Sequence, residues 1–269
     1  MKKGFLVVAL FSVLTLVAVA YGASLIGAVQ IVGSTSVQPL AEELAQAFMA
    51  KNSGVKIFVQ GGGSGAGITA AINGTANIGN SSRELKPEEA AAGIHKTVIA
   101  KDCIVIIVHP SNSVNNLTVE QIQKIYLGEI SNWKEVGGPN LNIALVNREA
   151  SSGTRGAFEE LVMGKMAGKI SNKSLVQAST GAVQQTVAVT KEAIGYISLG
   201  SLDPKAVKAL RVNGVAATER NVSNKTYQLW RPFLMLTKAA PNGVTKAFLD
   251  WVLSPEGQKI VARDFIPVK

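Results

Sequence analysis

A chain of 269 residues can hold one large domain or two α/β lobes with separate cores. With 47% hydrophobic residues, 6% aromatics and 26 glycines, it fits α/β architecture with many tight turns and excludes a disordered chain. A single cysteine, Cys103, excludes an intramolecular disulfide, and the +9 formal charge comes from scattered cations with no block that reads as a nucleic-acid surface.

The N-terminus reads as a targeting segment. Lys2 and Lys3 precede an uncharged apolar run over residues 5–20, followed by small residues, and Ala18-Val19-Ala20 offers an A-x-A cleavage site. Extension of the run to Ile26 would reach spanning length, so residues 1–23 are expected to be a signal peptide or an uncleaved anchor. Either way the protein is expected to be exported, to the periplasm or the cell surface. A lipid on an N-terminal cysteine is excluded, because Cys103 lies deep in the chain beside an apolar run and reads as a buried small hydrophobe.

After the leader, β-type runs alternate with helical ones. Residues 29–32 and 55–59 read as strands, and residues 37–50 as a helix with Leu40, Leu44 and Phe48 on one face. A short helix is expected near residues 68–72, a short strand at 77–79, and a helix whose first turn holds Pro87, Glu88 and Glu89. The apolar run 104–108 reads as a strand crossing into a second lobe. There, Thr118 caps a helix, residues 141–146 form a strand, and a helix over 156–162 follows the loop around Ser152. Further helices are expected near 183–189 and 204–210, and residues 219–226 read as a surface loop. Residues 233–237 return as a strand to the first lobe, which helices over 244–253 and 255–262 complete.

Three loops between strands and helices carry the chemistry. Arg148-Glu149-Ala150-Ser151-Ser152-Gly153-Thr154-Arg155 gathers two cations, hydroxyls and a glycine before a helix. Gly33-Ser34-Thr35-Ser36 and Gly61-Gly62-Gly63-Ser64-Gly65 repeat the arrangement. A helix start leaves backbone N–H groups unpaired and carries positive dipole character, so hydroxyls and a guanidinium there suit a tetrahedral oxyanion. Any one such loop is also what an ordinary N-cap looks like. Their position after strands places them at carboxyl ends of strands, where open α/β sheets bind ligands.

Enzymatic chemistry finds little support. Gly62-Gly63-Ser64-Gly65-Ala66 lacks the final glycine of a nucleophile elbow, and His95 and His109 stand in no recognisable constellation. No zinc-helix, paired-cysteine or calcium-loop motif is present, so no metal site and no catalytic residue is expected. The run from Gly61 to Ala66 satisfies a dinucleotide fingerprint only loosely, and no cofactor is expected.

Taken together, these loops make the chain resemble the substrate-binding protein family of the phosphate ABC transporter. The resemblance runs over nearly the whole mature chain. It is carried by Gly33-Ser34-Thr35-Ser36-Val37-Gln38-Pro39-Leu40, Gln60 with Gly63-Ser64-Gly65, the stretch from Ile78 to Leu85, and Ile130-Ser131-Asn132-Trp133. The stretch from Arg148 to Arg155, Arg231-Pro232 and Phe265-Ile266-Pro267-Val268 complete it. It implies a type II periplasmic-binding-protein fold, a "Venus flytrap" whose lobes are joined by two crossing strands with the ligand in the cleft. Lobe 1 is expected over residues 24–105 and 233–269, and lobe 2 over residues 106–232. The implied protein is a non-enzymatic, monomeric receptor that binds inorganic phosphate and hands it to a membrane permease. Sulfate or molybdate as ligand, or a secreted phosphatase-type enzyme, are the alternatives.

By position, the resemblance implies that Thr35, Ser36, Ser64, Ser82, Arg83, Arg148, Ser152, Gly153 and Thr154 contact phosphate. Two family aspartates are replaced: the one that braces the arginine by Ala150, and the one that accepts the ligand proton by Ser82. Glu149, Glu84 or a carbonyl is left to supply an acceptor.

Overall fold

The computed structural model describes residues 25–268, so the expected leader of residues 1–23 lies outside the described residues. The first lobe begins with β1 (Gly27–Gly33), α1 (Gln38–Lys51), β2 (Val55–Gln60), α2 (Ser64–Asn73), β3 (Ile78–Ser81) and α3 (Pro87–Ala90). The long strand β4 (His95–Val108) then carries the chain across. Beyond it come β5 (Asn116–Leu117), α4 (Val119–Leu127), β6 (Ala144–Arg148), α5 (Gly153–Phe158), β7 (Leu175–Gln177) and α6 (Thr180–Val189). β8 (Ala193–Ser198), β9 (Lys208–Ala209), β10 (Arg211–Val212) and α7 (Glu219–Ser223) follow. β11 (Trp230–Thr237) returns the chain, and α8 (Gly243–Val252) and α9 (Pro255–Val261) finish it.

Pairing follows connection type. Strands joined through helices are parallel: β1 with β2 and β3, and β6 with β7 and β8. Antiparallel pairs occur where β4 and β11 run between the halves. The resulting order is β2-β1-β3-β11-β4-β8-β6-β7, with β9 added on β4. β4 pairs with β11 along residues 95–103 and with β8 along residues 104–108, so one strand belongs to both halves.

Each half has its own apolar core. Val29, Ile31, Leu44, Phe48, Ile57, Ile99, Phe233 and Phe248 pack together in the first. Residues 103–108 of β4, Tyr126, Trp133, Phe158, Val183 and Tyr196 pack together in the second. In that core Phe158 and Tyr196 stack with centroids 4.1 Å apart, and Tyr126 meets Phe158 edge-on. Apart from residues 204–210, the expected helices are present: α4 starts at Thr118, whose hydroxyl accepts from Gln121 N at 3.1 Å and whose capping box Gln121 completes. Cys103 is fully buried, and desolvation raises its thiol pKa.

Three local expectations are corrected. Residues 204–210 do not form a helix; Lys208 and Ala209 pair with Val108 and Ile107 instead. β11 leaves β4 at Cys103, and β9 pairs with the β4 edge that would otherwise be left open there. The surface loop at residues 219–226 contains one helical turn, α7, capped by Thr218. The helix expected at 156–162 starts earlier, at Gly153, and widens into a π turn over Glu159–Met163.

The two cores change over where Asp102 of β4 faces Arg231 of β11. Arg231 Nε donates to Asp102 Oδ2 at 3.0 Å, and both side chains are almost wholly buried. Leu199 N donates to the other carboxylate oxygen at 3.1 Å, tying the second lobe to the crossing. Burial raises the Asp102 pKa against the opposing pull of Arg231, whose own pKa burial lowers. Removing one partner leaves the other charge buried and uncompensated. Asp102→Ala is therefore expected to lower unfolding free energy in urea by about 3–5 kcal/mol, whereas an apolar double replacement, Asp102→Leu with Arg231→Met, should cost far less.

Candidate functional site: a hydroxyl cradle between the lobes

Four strand-to-helix junctions converge where the lobes meet. After β1, Val37 and Gln38 N–H groups turn back onto Ser34 O, and Ser34 Oγ accepts from Ser36 N at 3.2 Å. This tight turn sends the Thr35 and Ser36 side chains toward the second lobe. After β2, Gly63 adopts φ +86°, a left-handed value that glycine tolerates, and Ser64 opens α2. Ser82, just beyond β3, donates its N–H to Ser64 Oγ at 3.0 Å and its hydroxyl accepts from Ser34 Oγ at 2.9 Å. From the second lobe, the loop after β6 brings Ser152, Gly153 and Thr154.

These groups touch across the cleft. Ser36 Oγ lies 2.8 Å from both Thr154 Oγ1 and Thr180 Oγ1. Gly65 N donates to Ser151 O at 2.9 Å, a backbone bond between the lobes. A Cβ on Gly153 would lie 2.1 Å from Ser64 Oγ and 2.7 Å from Ser82 Oγ, so only glycine permits this approach. Ser36, Ser64, Ser82, Ser152, Thr154 and Thr180 are all buried.

Arg148 supplies the positive charge, at the carboxyl end of β6. Its side chain is 2% exposed, and each of its three guanidinium nitrogens has a hydrogen-bond partner. Nε and Nη2 form a bidentate pair with the two Glu149 carboxylate oxygens at 2.9 and 2.8 Å. Gln177 O accepts from Nε at 3.1 Å and Ala178 O from Nη2 at 3.3 Å. Nη1 donates to Thr180 Oγ1 at 3.2 Å, and Nη2 reaches across the cleft to Thr35 Oγ1 at 3.3 Å. Glu149 thus takes the bracing position that Ala150 leaves unfilled.

The sequence-derived set divides plainly. Thr35, Ser36, Ser64, Ser82, Arg148, Gly153 and Thr154 come together in one cluster. Ser152 adjoins it with a capping duty: its Oγ accepts from Arg155 N at 3.2 Å at the start of α5. Arg83 turns away, its guanidinium paired with both Glu89 oxygens at 2.7 and 2.8 Å, a contact that lowers the Glu89 pKa. Its aliphatic stem packs against Gly156 of the other lobe.

Sequence reading missed Ser34, the Ser151 carbonyl and Thr180. Ser179-Thr180-Gly181 has the same hydroxyl-and-glycine composition as the other three loops. It follows β7, which at three residues is too short to show a strand period. Among the described residues no group of acidic, histidine or cysteine side chains could hold a metal ion.

Two lobes, two crossing strands and an anion-suited cleft between helix starts define a two-lobed periplasmic-type binding protein. A family model described as a PBP superfamily domain matches residues 18–256. The phosphate-binding protein PstS of Bacillus subtilis is 34% identical over 249 residues, which cover 90% of this chain and 81% of that one. The PstS of Borreliella burgdorferi is 33% identical, with 90% of each chain covered. In structure, the Clostridium perfringens phosphate ABC transporter-type protein with bound phosphate superposes with TM-score 0.88 at 44% identity, covering 90% of this chain and all of that one. An ABC-type phosphate transport receptor from Vibrio cholerae gives 0.75 at 38% identity, covering 88% of this chain and 99% of that one. The chain belongs to the substrate-binding protein family of phosphate ABC transporters, within the PBP superfamily.

The Gly153 contact yields a direct test. In Gly153→Ala the added methyl collides with Ser64 and Ser82, so the lobes are expected to stand further apart. Small-angle X-ray scattering should give a larger radius of gyration than the parent; an unchanged value would show that this contact does not set the closed arrangement.

Proposed function

We propose that this protein is an extracytoplasmic receptor that binds inorganic phosphate without covalent chemistry and delivers it to an ABC permease. The observation that carries the proposal is the convergence of Thr35, Ser36, Ser64, Ser82, Gly153 and Thr154 on Arg148 from both lobes. Hydroxyls and helix-start N–H groups donate to an anion's oxygens, and the buried guanidinium balances its charge. Relatives that share this architecture are phosphate-binding proteins of transporters, and one holds phosphate. Hinge closure is the characteristic motion of periplasmic binding proteins, and β4 with β11 forms the crossing about which lobe 1 and lobe 2 would move. The family's place in import supports an exported protein, and among the described residues no helix is long and apolar enough to cross a membrane.

A second reading, a receptor for another oxyanion, is favoured by one feature. Among the described residues, Glu149 is the only carboxylate hydrogen-bonded to the cluster, and both its oxygens face Arg148. Ser82 places a hydroxyl where a carboxylate would repel a ligand with no proton to share. A hydroxyl donates as readily as it accepts, so it serves a protonated or an unprotonated tetrahedral anion.

Calorimetric titration of the mature protein with phosphate is expected to show saturable binding well below millimolar; no saturation in that range would sink the phosphate reading. A thermal-shift panel of phosphate, sulfate and molybdate ranks the ligands, because the anion that binds the native state raises the melting temperature. Arg148→Ala should weaken affinity by about 2–5 kcal/mol, the usual cost of truncating one partner of a buried charged contact. An unchanged dissociation constant would place the site elsewhere.

A further inference from the structure

We infer that Thr180, at the first turn of α6, is a ligand-binding residue of the same cradle and its fifth loop, joining the Arg148 charge to donors on both lobes. The inference rests on the oxyanion reading above and extends it to an element that motif matching does not reach.

Hydrogen-bond capacity decides the role of this side chain. A threonine hydroxyl has one hydrogen to give and two lone pairs to fill. Thr180 Oγ1 accepts from Arg148 Nη1 at 3.2 Å and shares a 2.8 Å hydrogen bond with Ser36 Oγ, so its own hydrogen can be given to Ser36 or, when Ser36 donates instead, to an anion in the cradle. Thr35 Oγ1 accepts from Arg148 Nη2 at 3.3 Å and from Thr180 N at 3.3 Å. Both Thr35 lone pairs are therefore engaged, so its hydroxyl can act further only as a donor. One guanidinium polarises two hydroxyls, one per lobe, which lie 3.4 Å apart.

Ser36 Oγ stands 2.8 Å from Thr180 Oγ1 and 2.8 Å from Thr154 Oγ1, so the same cluster contains a hydroxyl from each of three helix starts. α6 itself is a ten-residue helix capped by Ser179, whose Oγ accepts from Ala182 N at 3.1 Å. Its positive end adds to the field at Thr180. Thr180 is 2% exposed, among groups that Arg148 already charges. A buried hydroxyl in such a place is a donor to the anion, and packing alone would be served as well by valine.

Phosphate and sulfate titrations of the parent, Thr180→Val, Thr180→Ala and Thr180→Ser test this. Thr180→Val keeps shape and removes the hydroxyl; it is expected to lose about 10- to 100-fold in affinity, the worth of one hydrogen bond to a charged group. The ligand-free melting temperature should stay within a few degrees of the parent. Thr180→Ser should retain affinity within about threefold, and Thr180→Ala, which controls for misfit of valine, should lose as much as Thr180→Val. Valine and alanine variants that bind like the parent would overturn the inference. So would a serine variant that fails alongside them, because the loss would then follow shape rather than the hydroxyl. A parent that binds sulfate in place of phosphate overturns the phosphate reading alone, since the same variant series reads Thr180 with sulfate. A parent that binds neither anion overturns both.

Discussion

A guanidinium withdrawn from water is the condition around which the cleft is organised. Burying an ion costs several kcal/mol unless neighbours replace its hydration. Around Arg148 the replacement is complete in kind: a bidentate carboxylate from Glu149, the carbonyls of Gln177 and Ala178, and the hydroxyls of Thr35 and Thr180. Only the last two are themselves donors that can pass the charge onward. The carboxylate sits on the neighbouring residue, so the same short loop that carries the charge also holds it still. Fixing Arg148 thereby fixes where hydroxyls from both lobes can meet.

That meeting depends on the crossing strands. β4 pairs with elements of both halves along its length, and its partner changes from β11 to β8 and β9 beyond Cys103. Asp102 and Arg231 mark the changeover, and Leu199 ties the second lobe into the same carboxylate. A shift of one lobe against the other must be absorbed by this short region, because each lobe has its own packed core and little freedom within it. The small residues of the facing loops complement the crossing. Gly63 and Gly153 let backbone and hydroxyls approach where any side chain would intervene.

Much of this was legible in residue order. Alternating apolar runs located β1, β2, β11 and the inner half of β4, and the hydroxyl-rich loops pointed to most of the cradle. Legibility failed where a structure is decided by distant partners. Residues 204–210 lack a clear period, and β4's uncovered edge makes Lys208 and Ala209 a strand. Gly195 lies inside β8 with its Cα hydrogens against Val183 and Val187, and that glycine obscures a fully buried strand. Glu149 illustrates a subtler limit. Position within the loop assigns the brace to residue 150, an alanine, while side-chain reach lets residue 149 supply it. Arg83 shows the converse: Glu89, in the first turn of α3, takes the guanidinium that the loop position alone would have assigned to the ligand.

The protein's solitary thiol has a practical side. Cys103 lies at the strand crossing with no exposed surface, and burial together with the nearby Asp102 charge raises its pKa, suppressing the thiolate that alkylating reagents require. Gly181, next to Thr180, is exposed, and a Cβ there would meet nothing within 4 Å. A cysteine introduced at that position would be the one readily labelled thiol in the folded chain. The native fold thus comes ready for a single-step fluorophore attachment at the lip of the cleft, with no need to remove a competing residue first.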